Sequence, residues 1–338
     1  MTPKIPRTQL GDTLSVCRIV TGLWQIADAE RQGGEASPES MADALETYPD
    51  RGFTSFDVAD HYGSAELVMG ALRRADPSRR LEVATKWVPE PGPISRDQVR
   101  AAVARAQARL ATDRIDLFQL HAWRYSDPSW LDALIWLDEL VTEGAIGALG
   151  LTNVDTPHLR VAVESGFPIV SNQVCYSLLD ARPGRAMAAY CERRGVRLLG
   201  YGTLAGGFLS ERWLGRPAPA VDELSSWSLM KYRRFIDAAG GWERFQELLR
   251  SVAAVAARLG TTIAAVACRW VLDQPGVGAI IVGARPGGRT HLDATEAALA
   301  LTLDDATRQE LDAAVARLGA IDGEPGDEYR RPPFLTAS

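Results

Sequence analysis

Two rhythms of apolar and polar positions take turns along this chain. Short runs rich in Val, Ile and Leu fall at 18–24 (RIVTGLW), 53–58 (FTSFDV), 81–87 (LEVATKW) and 115–121 (IDLFQLH), then at 145–151 (AIGALGL), 169–174 (IVSNQV), 196–201 (VRLLGY) and 278–283 (GAIIVG). Runs of this length, bounded by turn residues, predict strands. Between them the apolar positions recur at helical spacing. Val99, Val103, Ala106 and Leu110 share one face behind a Ser95/Gln98 capping box. Leu311, Val315 and Leu318 repeat the pattern near the C-terminus, where Gly319 can stop the helix. Ahead of the first run, Leu10-Gly11-Asp12 predicts a small β-hairpin.

Eight strands, nearly all followed by a helix, imply parallel pairing. An open doubly wound sheet and a closed (β/α)8 TIM barrel share that rhythm. The repeat count of eight favours the barrel, as does the missing Gly-x-Gly-x-x-Gly turn after the first strand. No linker divides the chain, so residues 1–338 are expected to form a single barrel domain. One interruption, 205–243, follows the seventh strand and holds Trp213, Trp227, Tyr232 and Trp242. A segment that long is expected to be an active-site loop able to close as a lid. The Pro- and Gly-containing residues 320–338 read as an irregular tail.

Composition narrows the picture. With 338 residues, 46% hydrophobic and a net charge of -6, nothing overall favours nucleic acid or an anionic membrane surface. The N-terminal MTPKIPRTQL lacks a signal-peptide core, and no apolar run is long enough to span a bilayer. Cys17, Cys175, Cys191 and Cys268 are scattered without metal-ligand spacing and read as reduced, buried thiols of a cytoplasmic protein. No feature of the sequence sets an oligomeric state.

The chemistry gathers where strands end. Barrel enzymes work at the C-terminal ends of their strands. The second strand ends in Asp57 with Tyr62 in the loop beyond, the third in Lys86 and the fourth in His121. Because side chains alternate along a strand, Ser55 shares a face with Asp57, Ala84 with Lys86 and Gln119 with His121. Each residue alone has an ordinary explanation: a turn-forming Asp, a snorkelling Lys, a core His, a packing Tyr. Four of them at one rim are harder to explain that way.

Taken in order, FDVADHYG, ATKW, LFQLH and GLTN resemble the aldo-keto reductase family, and the similarity runs from GLWQ at 22–25 to the helix after VGAR at 282–285. The resemblance implies a (β/α)8 barrel that transfers hydride between a nicotinamide and a carbonyl, with a catalytic tetrad of Asp57, Tyr62, Lys86 and His121. Tyr62 would be the general acid. Its ordinary pKa near ~10 is too high for ready exchange at neutral pH, and a neighbouring Lys86 ammonium would lower it. Asp57 would hold Lys86 charged, and His121 would orient the carbonyl oxygen. The resemblance places the nicotinamide carboxamide on Thr152, Asn153 and Gln173, and its ring against Tyr201. Gly22, Leu23, Trp24 and Asp57 lie beside it, and the backbone of Gly202, Thr203 and Leu204 passes the pyrophosphate. Gly283, Ala284, Arg285, Arg289, His291 and Thr295 match the adenosine end, although His291 and Thr295 replace commoner residue types. The local arginines favour NADPH (NADP+ when oxidised). Trp24, His61, Trp87 and Trp123 would wall a small-molecule carbonyl substrate, apolar or aromatic, with small sugars also admissible.

Two other classes fit parts of the sequence. One is a non-enzymatic NADPH-binding regulatory or sensor subunit of the same family, which multiple turnover of bound NADPH would exclude. The other is a metal-dependent barrel hydrolase. It is disfavoured by only four histidines and no His-x-His at a strand end, so no metal ligands are assigned.

Overall fold

The computed structural model describes residues 5–34, 36–90, 92–287 and 291–330. A hairpin, β1 (Arg7–Leu10) and β2 (Leu14–Cys17), leads into eight parallel strands. These are β3 (Ile19–Gly22), β4 (Ser55–Asp57), β5 (Glu82–Trp87), β6 (Ile115–Leu120), β7 (Ile146–Thr152), β8 (Ile169–Cys175), β9 (Arg197–Tyr201) and β10 (Val277–Gly283). Neighbours pair in chain order, and β10 returns to β3 to close the barrel. Strand ends differ from the sequence expectation by one or two residues, and β3 and β4 are each shortened at both ends. At β4, Phe53 and Thr54 enter from a turn and only Ser55–Asp57 pair as strand.

Two apolar layers hold this arrangement. The larger lies between strands and helices and takes in Phe56, Phe118, Leu134 and Leu248. The smaller fills the barrel interior at its lower end, where Val20, Leu117, Ala148, Leu199, Ala279 and Ile281 meet Leu10, Leu14 and Val16 of the hairpin. The hairpin therefore plugs the floor and leaves the strand C-termini as the open rim. Its turn needs Gly11, which sits at φ +59 with Val170 packed where a Cβ would stand.

The segment 205–243 is not the open loop that its length implied. It folds into short turns and the helix Trp227–Ala238. Trp213 is buried against Phe208 and Trp242 and anchors the segment. Trp227 stays half-exposed beneath the Arg31 guanidinium, 5.5 Å from its ring centre. The tail also differs from expectation: Pro325 to Glu328 are buried and Asp327–Tyr329 form a helical turn. No single helix among the described residues is long and apolar enough to cross a membrane.

Candidate active site

The barrel register brings the expected residues together. Gly22 pairs with Asp57 on one side and Gly283 on the other, and Thr152 pairs with Gln173. These strand ends thus lie level at one rim. Lys86, buried, donates to Asp57 Oδ2 (2.6 Å) and to the Val58 carbonyl (2.8 Å). Asp57 Oδ1 accepts from Gln173 Nε2 at 2.7 Å, so both carboxylate oxygens are occupied. That answers the cost of burying a carboxylate there: an ammonium and an amide replace its water.

Tyr62 follows in the loop, with the Lys86 ammonium 4.6 Å from its ring centre. Burial, then the Asp57 charge, pushes the Tyr62 phenol well above its ordinary range. This reverses the sequence expectation of a lowered value. Two Lys86 N–H groups are committed to Asp57 and Val58, and the carboxylate neutralises the ammonium, so burial dominates. The outcome is a phenol that keeps its proton at neutral pH. Burial also lowers Lys86, against the pull of Asp57.

His121 is buried as well, and burial, followed by the charges of His61, Lys86, Lys231 and Arg330, drops its imidazole well below the usual value. It is neutral at pH 7. Its Nε2 accepts the Trp123 indole N–H at 2.9 Å and lies 3.1 Å from Asn153 Nδ2. An indole only donates, so the proton sits on Nδ1, which has no partner in this arrangement. For Nε2 to polarise a carbonyl, Trp123 must turn aside and the proton must move.

Residues matched to the nicotinamide cluster beside this group. Asn153 adopts φ +55, which Asn tolerates better than most residues, and this turns its amide toward His121. Its Oδ1 accepts from the Tyr201 phenol at 2.9 Å. Thr152 Oγ1 donates to the Gln173 carbonyl (3.0 Å). After β9 the backbone takes left-handed φ at Gly202, Ala205, Gly206 and Gly207, and the turn is closed by the Ala205 and Gly207 N–H groups donating to the Gly202 and Leu204 carbonyls. A Cβ at Gly202 would run into the Tyr232 phenol. These residues fit a dinucleotide. Of the residues matched to the adenosine end by resemblance, Ala284 is buried and Arg285 exposed. Thr295 is committed to its own helix, donating to the His291 carbonyl at 2.9 Å. Arg289 lies outside the described residues.

Among the expected wall residues, Trp24 packs edge-on against Tyr62 (ring centres 5.0 Å) and His61 against Tyr62 (4.8 Å). His61 is in turn bonded to Asp60 (2.8 Å). Trp87 follows Lys86 and so occupies the opposite pleat, buried in the larger apolar layer. Among the described residues no ring pairing joins it to the others.

Five residues that the sequence did not single out complete the rim. Tyr329 packs on His121 (5.0 Å) and on Trp123 (5.4 Å). Lys231, from the helix Trp227–Ala238, donates to the Tyr329 oxygen at 3.0 Å and to Tyr201 at 3.4 Å. Glu328 accepts from Tyr201 (3.1 Å) and pairs with the buried Arg182 (3.0 Å). Arg330 donates to the Asn153 carbonyl at 2.8 Å. The signal was faint: four polar residues, Asp327 to Arg330, in a tail otherwise rich in Gly and Pro.

Comparison with known proteins agrees with this geometry. Residues 18–316 match the sequence profile of the aldo/keto reductase family. The chain is similar to the aldo-keto reductase YhdN of Bacillus subtilis, at 25% identity over 96% of this chain and 98% of that one. It is also similar to the NADH-specific methylglyoxal reductase of Escherichia coli, at 25% identity over 90% and 95%. A thermostable aldo-keto reductase solved with the inhibitor epalrestat superposes with TM-score 0.71 at 25% identity, covering 92% of this chain and all of that one. A glycerol dehydrogenase from Gluconobacter oxydans shares the fold, with TM-score 0.76 at 23% identity over 92% and 95%. With nearly its whole length matched, this chain belongs to the aldo/keto reductase family of nicotinamide-dependent carbonyl reductases.

Proposed function

We propose that this protein reduces an aldehyde or ketone to the alcohol with NADPH, and that Tyr62 is the general acid. The observation that carries the reading is the meeting of Tyr62, Lys86, Asp57 and His121 at one rim of the barrel. Reduced nicotinamide supplies the hydride. The chain's own residues must then manage the oxygen. An alkoxide forming beside Tyr62 takes the phenolic proton, which burial has kept in place through neutral pH. The Lys86 ammonium over the ring steadies the resulting phenolate, and Asp57 fixes that ammonium. Neutral His121, freed from Trp123, orients the carbonyl oxygen from the other side.

Thr152, Asn153 and Gln173 suit a carboxamide, because each carries hydrogen-bonding groups at the ends of two paired strands. Arg285, exposed just after β10, suits a 2′-phosphate and favours NADPH. The E. coli relative named for NADH argues that both nucleotides be tried. The test follows nicotinamide absorbance with each nucleotide across a set of aldehydes and ketones, for the parent and Tyr62→Phe. Expected is turnover in the parent, preferring NADPH, and a loss of at least ~100-fold in the variant with nucleotide affinity retained. Near-normal turnover by Tyr62→Phe would remove Tyr62 as the acid.

A further inference from the structure

The Tyr201 hydroxyl is one proton short for the acceptors around it. Asn153 Oδ1 stands 2.9 Å from its oxygen and Glu328 Oε1 3.1 Å. A phenol carries a single O–H and satisfies one of them at a time. Its lone pairs face the Lys231 ammonium at 3.4 Å, with the Tyr329 hydroxyl at 3.5 Å. Burial, then Tyr329 and Glu328, keep the Tyr201 phenol well above its ordinary range, so the proton stays on it.

Glu328 is placed to win that proton. It is fully buried, and its Oε2 accepts from the Arg182 guanidinium and the Gly326 N–H, each at 3.0 Å. Arg182 is fixed in turn by Asp180, at 2.8 Å from both Nε and Nη2, and by the Glu324 carbonyl at 2.9 Å. Burial works against a charge on Glu328, yet Arg182 and Lys231 hold its carboxyl below the usual carboxylate range. A hydrogen bond to a carboxylate is roughly twice as strong as one to a neutral amide oxygen. Asn153 Oδ1 is then left open, and among the described residues no other donor reaches it.

Its neighbours at the strand ends are acceptors too. Gln173 spends its N–H2 on Asp57 (2.7 Å) and Gln119 (3.3 Å), and Thr152 spends its hydroxyl proton on the Gln173 carbonyl. A ligand that brings an N–H2 group suits this set. We infer that Glu328 is a positioning residue: by taking the Tyr201 hydroxyl proton it leaves Asn153 Oδ1 free for the N–H2 of the nicotinamide carboxamide. The inference rests on the nucleotide reading above. Glu328 acts through Tyr201 and touches neither nucleotide nor substrate.

Three nucleotides test it on the full chain: NADP+, its 3-acetylpyridine analogue, in which a methyl ketone replaces the carboxamide, and 2′-phospho-ADP-ribose, which lacks the ring. NAD+ and its counterparts replace them if the chain takes that nucleotide instead. Binding is titrated for the parent, Glu328→Gln, Tyr201→Phe and the double variant. The readout is the preference, the affinity for NADP+ over that for the acetylpyridine analogue. Expected is a preference of about tenfold in the parent that falls toward unity in Glu328→Gln, where the Tyr201 proton settles on Asn153. The double variant, with that proton gone, regains it, and 2′-phospho-ADP-ribose binds all four within about twofold. A purely structural Glu328 would weaken the three ligands together and leave the preference unchanged, which overturns the proposal, as does a double variant that stays indifferent. If Glu328→Gln does not fold, Tyr201→Phe decides: a preference kept at the parent's level supports the proposal, and one lost with the hydroxyl overturns it. A parent that binds NADP+ and the analogue equally sinks the role of Glu328 while leaving the reductase reading intact. Failure of both NADP+ and NAD+ to bind the parent removes that reading itself.

Discussion

At the scale of single residues, the buried Asp57–Lys86 pair decides what Tyr62 can do. Its two members neutralise each other, so the phenol beside them feels burial more than charge and stays protonated. Removing only the cation leaves Asp57 uncompensated next to Tyr62, and a like charge drives the phenol pKa further up. Alcohol oxidation, the reverse reaction, requires the phenolate and so rises with pH through that ionisation. In Lys86→Met the rise should move upward by about 1–3 pH units. The pH profile of kcat/KM for the alcohol checks this, and a profile that stays where the parent's lies contradicts the role given to Lys86. His121 makes no contribution to that limb, since its imidazole titrates well below the usual range. That Asp57, Lys86 and His121 share a rim was legible because each falls at or next to a strand end, and Tyr62 lies in the loop that follows Asp57. The direction of the Tyr62 shift was not, because it depends on which N–H groups of Lys86 are already taken.

Among the elements, the helix Trp227–Ala238 and the turn Asp327–Tyr329 were the ones least visible in the sequence. Strands announce themselves through continuous apolar runs, and all eight barrel strands were found within one or two residues. The 205–243 segment interleaves aromatic anchors with polar turns, so its apolar residues showed no single period, although Phe208, Trp213 and Trp242 pack together on the larger apolar layer. The tail turn depends on contacts far away in sequence. Gly326 sits at φ +90, and a Cβ there would strike the Asn153 carbonyl oxygen. Gly326→Ala should therefore cost about 1–3 kcal/mol locally, which the chain can relieve by lifting the turn off Asn153. Amide exchange over 324–330 would then quicken by roughly 5- to 150-fold, while strands on the far side of the barrel keep their protection. Exchange over 324–330 as slow as in the parent would show that the turn is not held by this close approach.

For the whole molecule, the barrel separates stability from chemistry along its axis. Every polar group implicated above lies at the strand C-termini, whereas the floor is apolar and closed by the hairpin. Leu10 is fully buried there among Val20, Leu117 and Leu199, at the end of the cylinder away from Tyr62. Such a division predicts that damage at the floor lowers stability without altering the reaction. Leu10→Ala removes buried methyl groups and leaves a cavity in a layer built from residues of five barrel strands, at a cost of about 2–5 kcal/mol. The transition should shift to lower temperature or denaturant, while kcat/KM measured well below the melt stays within about twofold of the parent. The polar rim, held by its own Asp57–Lys86, Arg182–Glu328 and Arg330–Asn153 contacts, has no need of Leu10 for its geometry. If the variant instead lost turnover while keeping its melting temperature, the floor would be coupled to the site, and the separation of the two ends would have to be abandoned.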